Sequence, residues 1–187
     1  FSQLFWKSHY EIFRYFSKNV EKYIGNKKKY LEIGGGHGLF TSEVIKKIKN
    51  ETEVTIVDIS DTSLKMSQDI IENDNIKYIC SNILEFENRE QYDFITMGEV
   101  LEHVEKPKEL LQKIYKILKK DGIFFITVPI NSPAIDHIYL FSDENEIREM
   151  ILSTGFKIEE EILAKSENVK KEYEEKFKLS KIYGAFL

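Results

Sequence analysis

Glu99, Glu102 and His103 stand at i, i+3 and i+4, the spacing that stacks side chains on one face if the segment begins a helix. Two carboxylates and an imidazole so placed can move protons or hold a cation. A second imidazole, His137, follows in the loop Asn131-Ser132-Pro133-Ala134-Ile135-Asp136-His137. The four residues make a donor set suited to Mg²⁺ or Mn²⁺, with water or a substrate oxygen completing an octahedron. A cation held there lowers the pKa of a bound hydroxyl. Without one, His103, Glu102 and His137 are candidates for general acid–base work or for shaping a pocket. Asp136 would raise the basicity of His137 if their side chains met.

A second constellation lies upstream. Residues 30–38 read Tyr-Leu-Glu-Ile-Gly-Gly-Gly-His-Gly, an apolar run that ends in an acid and then in glycines. Glycine tolerates positive φ and lets a ligand approach the main chain without meeting a Cβ, so this is a strand entering a tight turn with exposed N–H groups. Residues 39–49 place apolar side chains at 40, 44, 45 and 48, an amphipathic helix pattern. The turn therefore delivers its ligand to a helix N-terminus.

The order of these residues narrows the ligand. A dinucleotide site needs G-x-G-x-x-G with an acid ~20 residues on, whereas Glu32 precedes glycines spaced G-x-G-x-G. A second apolar run, Val54 to Val57, ends in Asp58, and an acid at the tip of the second strand can accept both hydroxyls of a ribose. A ribose-bearing cofactor with a positive centre fits better than a pyrophosphate.

Glu32 to Gly38 resembles the E/D-x-G-x-G-x-G first motif of class I S-adenosylmethionine-dependent methyltransferases, and Asp58 resembles their ribose-binding acid. The likeness continues through Tyr92 to Val104, including Glu99-Val100-Leu101-Glu102-His103, and spans residues 28–160. It implies S-adenosylmethionine as cofactor and S-adenosylhomocysteine as product. By that likeness Gly34, Gly36 and Gly38 lie against the methionine portion, Glu32 orients the loop or holds the amino group through water, and Glu99 contacts the methionine end. Asp58 takes the ribose, and Ile59 and Ile83 sandwich the adenine. Family members often carry an acid for the adenine amine after the third strand; Asn82 departs from that pattern, keeping an acceptor oxygen without the charge. The E-x-x-E-H spacing with a distal histidine also resembles the metal site of small-RNA 2′-O-methyltransferases. The same E-V-L-E-H run resembles ubiquinone-pathway O-methyltransferases, where it shapes a pocket without metal.

The elements that must position these residues alternate along the chain. Helix 3–24 is expected first, then strand 30–33, helix 39–49, strand 53–58, helix 61–72, and strands 76–80 and 92–97. Helix 107–119, strand 122–129, helix 143–154 and strands near 156–164 and 181–187 complete it. Such alternation implies an α/β, Rossmann-like, doubly wound, mostly parallel seven-stranded sheet with helices on both faces, and the resemblance implies an antiparallel last strand. One domain over 1–187 is expected, with 1–27 as a helical cap on a 28–187 core.

Composition excludes several classes. The 187 residues carry a net charge of −5, which argues against a nucleic-acid partner, since phosphate binding needs a basic footprint. No apolar run approaches the ~20 residues of a membrane span. Cys80 is the one cysteine, so no internal disulfide forms and a cytoplasmic setting is expected. The aromatic residues Phe5, Trp6, Tyr10, Phe13, Tyr15 and Phe16 are read as core packing or as a lid over the site. The loop 130–142 is expected to pack against the acceptor pocket, with Tyr139 or His137 touching substrate. The expected reaction is methylation of a small hydroxylated metabolite at oxygen. Nitrogen acceptors, RNA or protein substrates, and a non-catalytic cofactor-binding role are the alternatives.

Overall fold

A computed structural model describes residues 3–36, 38–48, 51–71, 73, 75–87, 90–165, 172, 176 and 178–187. The apolar runs form seven strands: β1 (Lys29–Ile33), β2 (Glu53–Asp58), β3 (Ile76–Cys80), β4 (Tyr92–Gly98), β5 (Leu118–Ile130), β6 (Glu160–Lys165) and β7 (Lys181–Phe186). They make one sheet in the order β3-β2-β1-β4-β5-β7-β6. β1 to β5 are parallel neighbours, and β7 inserts antiparallel between β5 and β6. This is the doubly wound sheet the sequence implies. Its order reverses between β1 and β4, and the crevice outside those strand ends is where such sheets bind ligands.

Alternation along the strands serves two cores. In β1, Leu31 and Ile33 pack with Leu110, Ile114 and Ile147 on one face. Tyr30 faces the other way, among Phe16, Val44, Leu64 and Phe94. The first face is covered by α4 (Pro107–Ile117) and α5 (Glu144–Ser153), and the second by α1 (Gln3–Ile24), α2 (Leu39–Ile45) and α3 (Asp61–Ile70).

α1 follows a four-residue rhythm, with Ile12, Phe16, Val20 and Ile24 all buried. Phe16 lies 4.6 Å from the ring of Phe125, and Tyr23 stacks on Phe186 at 4.3 Å. Lys22 pairs with Glu160, which also accepts from the Tyr15 hydroxyl. The second half of the helix is thereby pinned to the β5–β7–β6 side of the sheet, and its first half reaches toward the switch point.

Several boundaries depart from the sequence expectation, the larger ones for local physical reasons. α2 ends at Ile45 rather than continuing to 49, and the Val44 carbonyl at its end accepts from the Lys47 N–H at 2.9 Å and the Ile48 N–H at 3.0 Å. α4 ends at Ile117 because Leu118 turns to extended backbone (φ −83°, ψ 136°). β5 therefore starts at once, with a register shift opposite Tyr92 and Phe94. β6 starts at Glu160, the stretch after Gly155 serving as connection, with Phe156 buried in the core. The Glu99–His103 segment is not a helix start, since only Leu101–His103 forms a single 3₁₀ turn. Among the described residues no helix is long and apolar enough to cross a membrane.

Candidate active site at the switch point

The glycine turn is built from left-handed backbone. Gly34 has φ 69° and Gly36 φ 44°, conformations that cost a residue with a Cβ. Sterics add to this at Gly34, where a Cβ would lie 2.2 Å from Val100 Cγ2. The turn is fixed from below by the Gly34 N–H, which donates to the Val57 carbonyl at 2.8 Å, and by the Ser67 hydroxyl, which donates to the Gly36 carbonyl at 3.0 Å.

Glu32 and Asp58 bracket this turn. The Glu32 carboxylate accepts the Thr41 N–H at 2.9 Å and the Tyr30 hydroxyl at 3.3 Å, so it caps α2, the loop-orienting role proposed for it. Burial pushes its carboxyl up to about 8, against the lowering effect of those two donors. Asp58 accepts from the Gly36 N–H at 3.2 Å and from the Ser60 N–H at 2.7 Å. Its carboxylate thus joins the turn to the start of α3 while facing the crevice.

A cavity of about 770 Å³ runs along the strand tips, a volume suited to a cofactor-sized ligand. Asp58, Ile59, Asn82 and Ile83 line one end, Gly34 and Gly36 the middle, and Val100, His103 and Ile138 the other. Ile83 is buried, whereas Ile59 is 74% exposed and stands over the cavity as a flap rather than as core. The Asn82 side-chain oxygen accepts the Leu84 N–H at 3.0 Å, so one of its acceptor positions already holds the turn after β3.

Beyond β4 the chain places its acids differently from the helical expectation. Glu99 adopts φ 52°, and its carboxylate turns to α1, where His9 Nε2 lies 2.9 Å from Oε1 and 3.2 Å from Oε2. Glu102 points inward and is 1% exposed. Among the described residues neither of its carboxylate oxygens has a hydrogen-bond partner. Burial raises its carboxyl to about 8, and the charges of Glu99 and Asp136 add to the rise.

The loop after β5 is strapped onto this turn, because the Ile138 and Tyr139 N–H groups both donate to the Glu102 carbonyl at 2.9 Å. His103 Nδ1 lies 2.8 Å from the Asp136 carbonyl, which fixes that nitrogen as the donor and leaves Nε2 open, 3.7 Å from Glu102 Oε1. The His137 ring stands edge-on to His103 with centroids 5.0 Å apart. One ligand atom each from Glu102, His103 and His137 lies within 4.8 Å of the others.

Glu102, His103 and His137 therefore meet, and Glu99 does not join them; its left-handed backbone sends it to His9 instead. Tyr139 is also corrected: it donates to Glu146 at 2.9 Å and packs on Phe141, away from the mouth. Ile135 and Leu140 are exposed, whereas Ile138, also largely exposed, lines the cavity wall. His37 lies outside the described residues, as do the side chains of Phe5 and Trp6. Of the N-terminal aromatics, Phe16 is core, Tyr10 is exposed, and Phe13 lines a smaller chamber beside the glycine turn. His9 is a residue of this site that the sequence reading did not assign to it. Extending the buried rhythm of Ile12, Phe16 and Val20 back one turn would have pointed to Ser8 and His9.

Residues 6–161 match the family described as Methyltransferase domain, and the chain belongs to that family. That match, with the doubly wound sheet order, places the chain in the family of class I S-adenosylmethionine-dependent methyltransferases. The chain is 30% identical over 151 residues to a ubiquinone biosynthesis O-methyltransferase of Rickettsia bellii, covering 70% of the chain and 62% of that relative. It thus spans less than two thirds of that relative's length. Among solved structures, the N-methyltransferase NodS of Bradyrhizobium japonicum with S-adenosylhomocysteine is similar at TM-score 0.71 and 17% identity, over 95% of the chain and 85% of NodS. The [4+2]-cyclase SpnF is similar at TM-score 0.71 and 13% identity, over 93% of the chain and 80% of SpnF. At these identities the likeness is one of fold, and the fold alone does not choose the reaction.

Proposed function

We propose that the protein transfers the methyl group of S-adenosylmethionine to a hydroxyl of a small metabolite or biosynthetic intermediate, in the cytoplasm. The observation that carries the oxygen acceptor is the Glu102–His103 pair: a buried carboxylate without a partner facing an imidazole nitrogen left open at the cavity wall. A hydroxyl must lose a proton to become a good nucleophile, whereas a neutral amine attacks without a dedicated base. The name of the Rickettsia relative agrees with an oxygen acceptor, and the acidic chain suits a small substrate better than RNA.

In this reading the cavity holds the sulfonium and the acceptor in line, and positioning supplies most of the rate. The acceptor oxygen forms a bond to the methyl carbon as the methyl–sulfur bond breaks. S-adenosylhomocysteine leaves with the bonding pair on sulfur, and the hydroxyl proton passes to His103 Nε2. The Asp136 carbonyl holds the ring for that step, and Glu102 stabilises the imidazolium.

The same residues fit a divalent cation. Glu102 brings a buried carboxylate with both oxygens unpartnered, and His103 carries the carbonyl hydrogen bond on its other nitrogen that metal-bound histidines usually make. Glu102, His103 and His137 would hold Mg²⁺ or Mn²⁺, which when bound acts as a Lewis acid toward a hydroxyl.

Release of S-adenosylhomocysteine with panels of small phenols and small amines tests the reading in wild type and His103→Ala. Transfer to phenols that the variant loses, with S-adenosylhomocysteine still bound, is the expected result. Transfer to amines alone, unaffected by the variant, would overturn the oxygen assignment.

A further inference from the structure

A second, smaller chamber of about 230 Å³ lies between α1 and the glycine turn. It adjoins the main cavity across Gly34, Gly36, Gly98 and Glu99, which line both. Where the main cavity offers Asp58 and apolar walls, the chamber offers the Glu99 carboxylate and the His9 imidazole, with the buried Glu32 carboxyl behind the glycine turn. Among the described residues lining it, His9 is the one basic side chain. An α-ammonium needs acceptors of this kind, and the two spaces joined end to end match a ligand that is nucleoside at one end and amino acid at the other.

The family resemblance gives Glu99 the methionine end of the cofactor; we propose that His9 on α1 is the positioning residue that holds the Glu99 carboxylate in this chamber, toward the cofactor's ammonium. An ionised carboxylate has about four acceptor sites. The His9 N–H, 2.9 and 3.2 Å from the two oxygens, occupies one edge and leaves the rest to the chamber. Glu99 depends on this anchor because its left-handed backbone, fixed by its own N–H to the Thr127 carbonyl at 3.1 Å, directs the side chain away from the Glu102 turn. The pinned second half of α1 sets the register of the helix, with Ile12 buried one turn after His9. α1 thus reads the amino-acid end of the cofactor through a single side chain. The inference rests on the S-adenosylmethionine assignment and adds a residue to it.

Calorimetric titration separates this role from simple packing when two ligands are compared. S-adenosylhomocysteine has the amino-acid end; 5′-methylthioadenosine keeps the nucleoside and sulfur but lacks it. In His9→Ala the affinity for S-adenosylhomocysteine is expected to fall ~10-fold, the scale of one hydrogen bond to a charged group, while that for 5′-methylthioadenosine stays unchanged. His9→Gln, which keeps an N–H donor, recovers part of the loss. Equal losses for both ligands, or no loss for either, would overturn the role of His9. Wild type that binds neither ligand would overturn the cofactor assignment itself.

Discussion

The Glu32 carboxylate accepts the Thr41 amide at 2.9 Å and so ties the end of β1 to the first turn of α2. The Thr41 N–H is one of the donors a helix start leaves unpaired. The tie has a cost, because the carboxyl is buried and holds its proton up to about 8.

That cost has a sign that can be measured. Between the ordinary glutamate range and about 8 the folded protein binds more protons at Glu32 than the unfolded chain does. The associated stability is full below the unfolded value and is lost as pH rises through the folded one. Wild type should therefore lose stability relative to Glu32→Gln on going from about pH 5 to about pH 8, by up to ~1.4 kcal/mol per pH unit. Urea unfolding of both proteins at the two pH values checks this. Glu102 is common to both and cancels; a constant difference would contradict the prediction.

Gly34 faces two separate obstacles to substitution, its φ of 69° and the Val100 methyl 2.2 Å from where a Cβ would stand. Gly34→Ala should destabilise the protein by about 1–3 kcal/mol and weaken S-adenosylhomocysteine binding. Adding Val100→Ala removes the clash but not the backbone strain. The double variant should regain only part of the loss, a coupling that a double-mutant cycle measures.

Asp58 joins Gly36 and Ser60 while facing the cavity. Asp58→Ala removes both the loop tie and the acceptors proposed for the ribose, and S-adenosylhomocysteine affinity should drop on the order of 10- to 100-fold. Asp58→Asn keeps one acceptor oxygen and should fall between the two in calorimetric titration.

Glu102 places stability and turnover in opposition. Both its oxygens are buried without partners, a situation that penalises the charged form. Glu102→Gln should raise the melting temperature of the metal-free protein at neutral pH, yet slow methyl transfer on the order of 10²-fold or more. Cofactor affinity should be preserved. A thermal melt and a turnover assay on one preparation test both halves.

Residues whose role depends on local chemistry were legible in sequence. Glycines that need positive φ, acids at strand tips and an apolar rhythm every four residues announce themselves without tertiary context, and α1, β2 and β3 were read to the residue. What stayed hidden depended on partners far along the chain. The i, i+3, i+4 spacing of Glu99, Glu102 and His103 implied a shared helical face, but a left-handed Glu99 broke the pattern in favour of a bond to His9, ninety positions earlier. Tyr139 was drawn from the mouth by Glu146. The helix periodicity of α4 ran past Ile117, where pairing of Leu118 with Tyr92 ended it.

The packing of α1 also imposes an order in time. Tyr23 and Phe16 rest on Phe186 of β7, and Lys22 reaches Glu160 of β6, so the helix, synthesised before the sheet it packs on, finds its seat only after the far edge of that sheet has emerged. His9 can settle over its chamber only once that seat exists. During synthesis, therefore, the His9–Glu99 contact is among the last long-range contacts of the chain that can close.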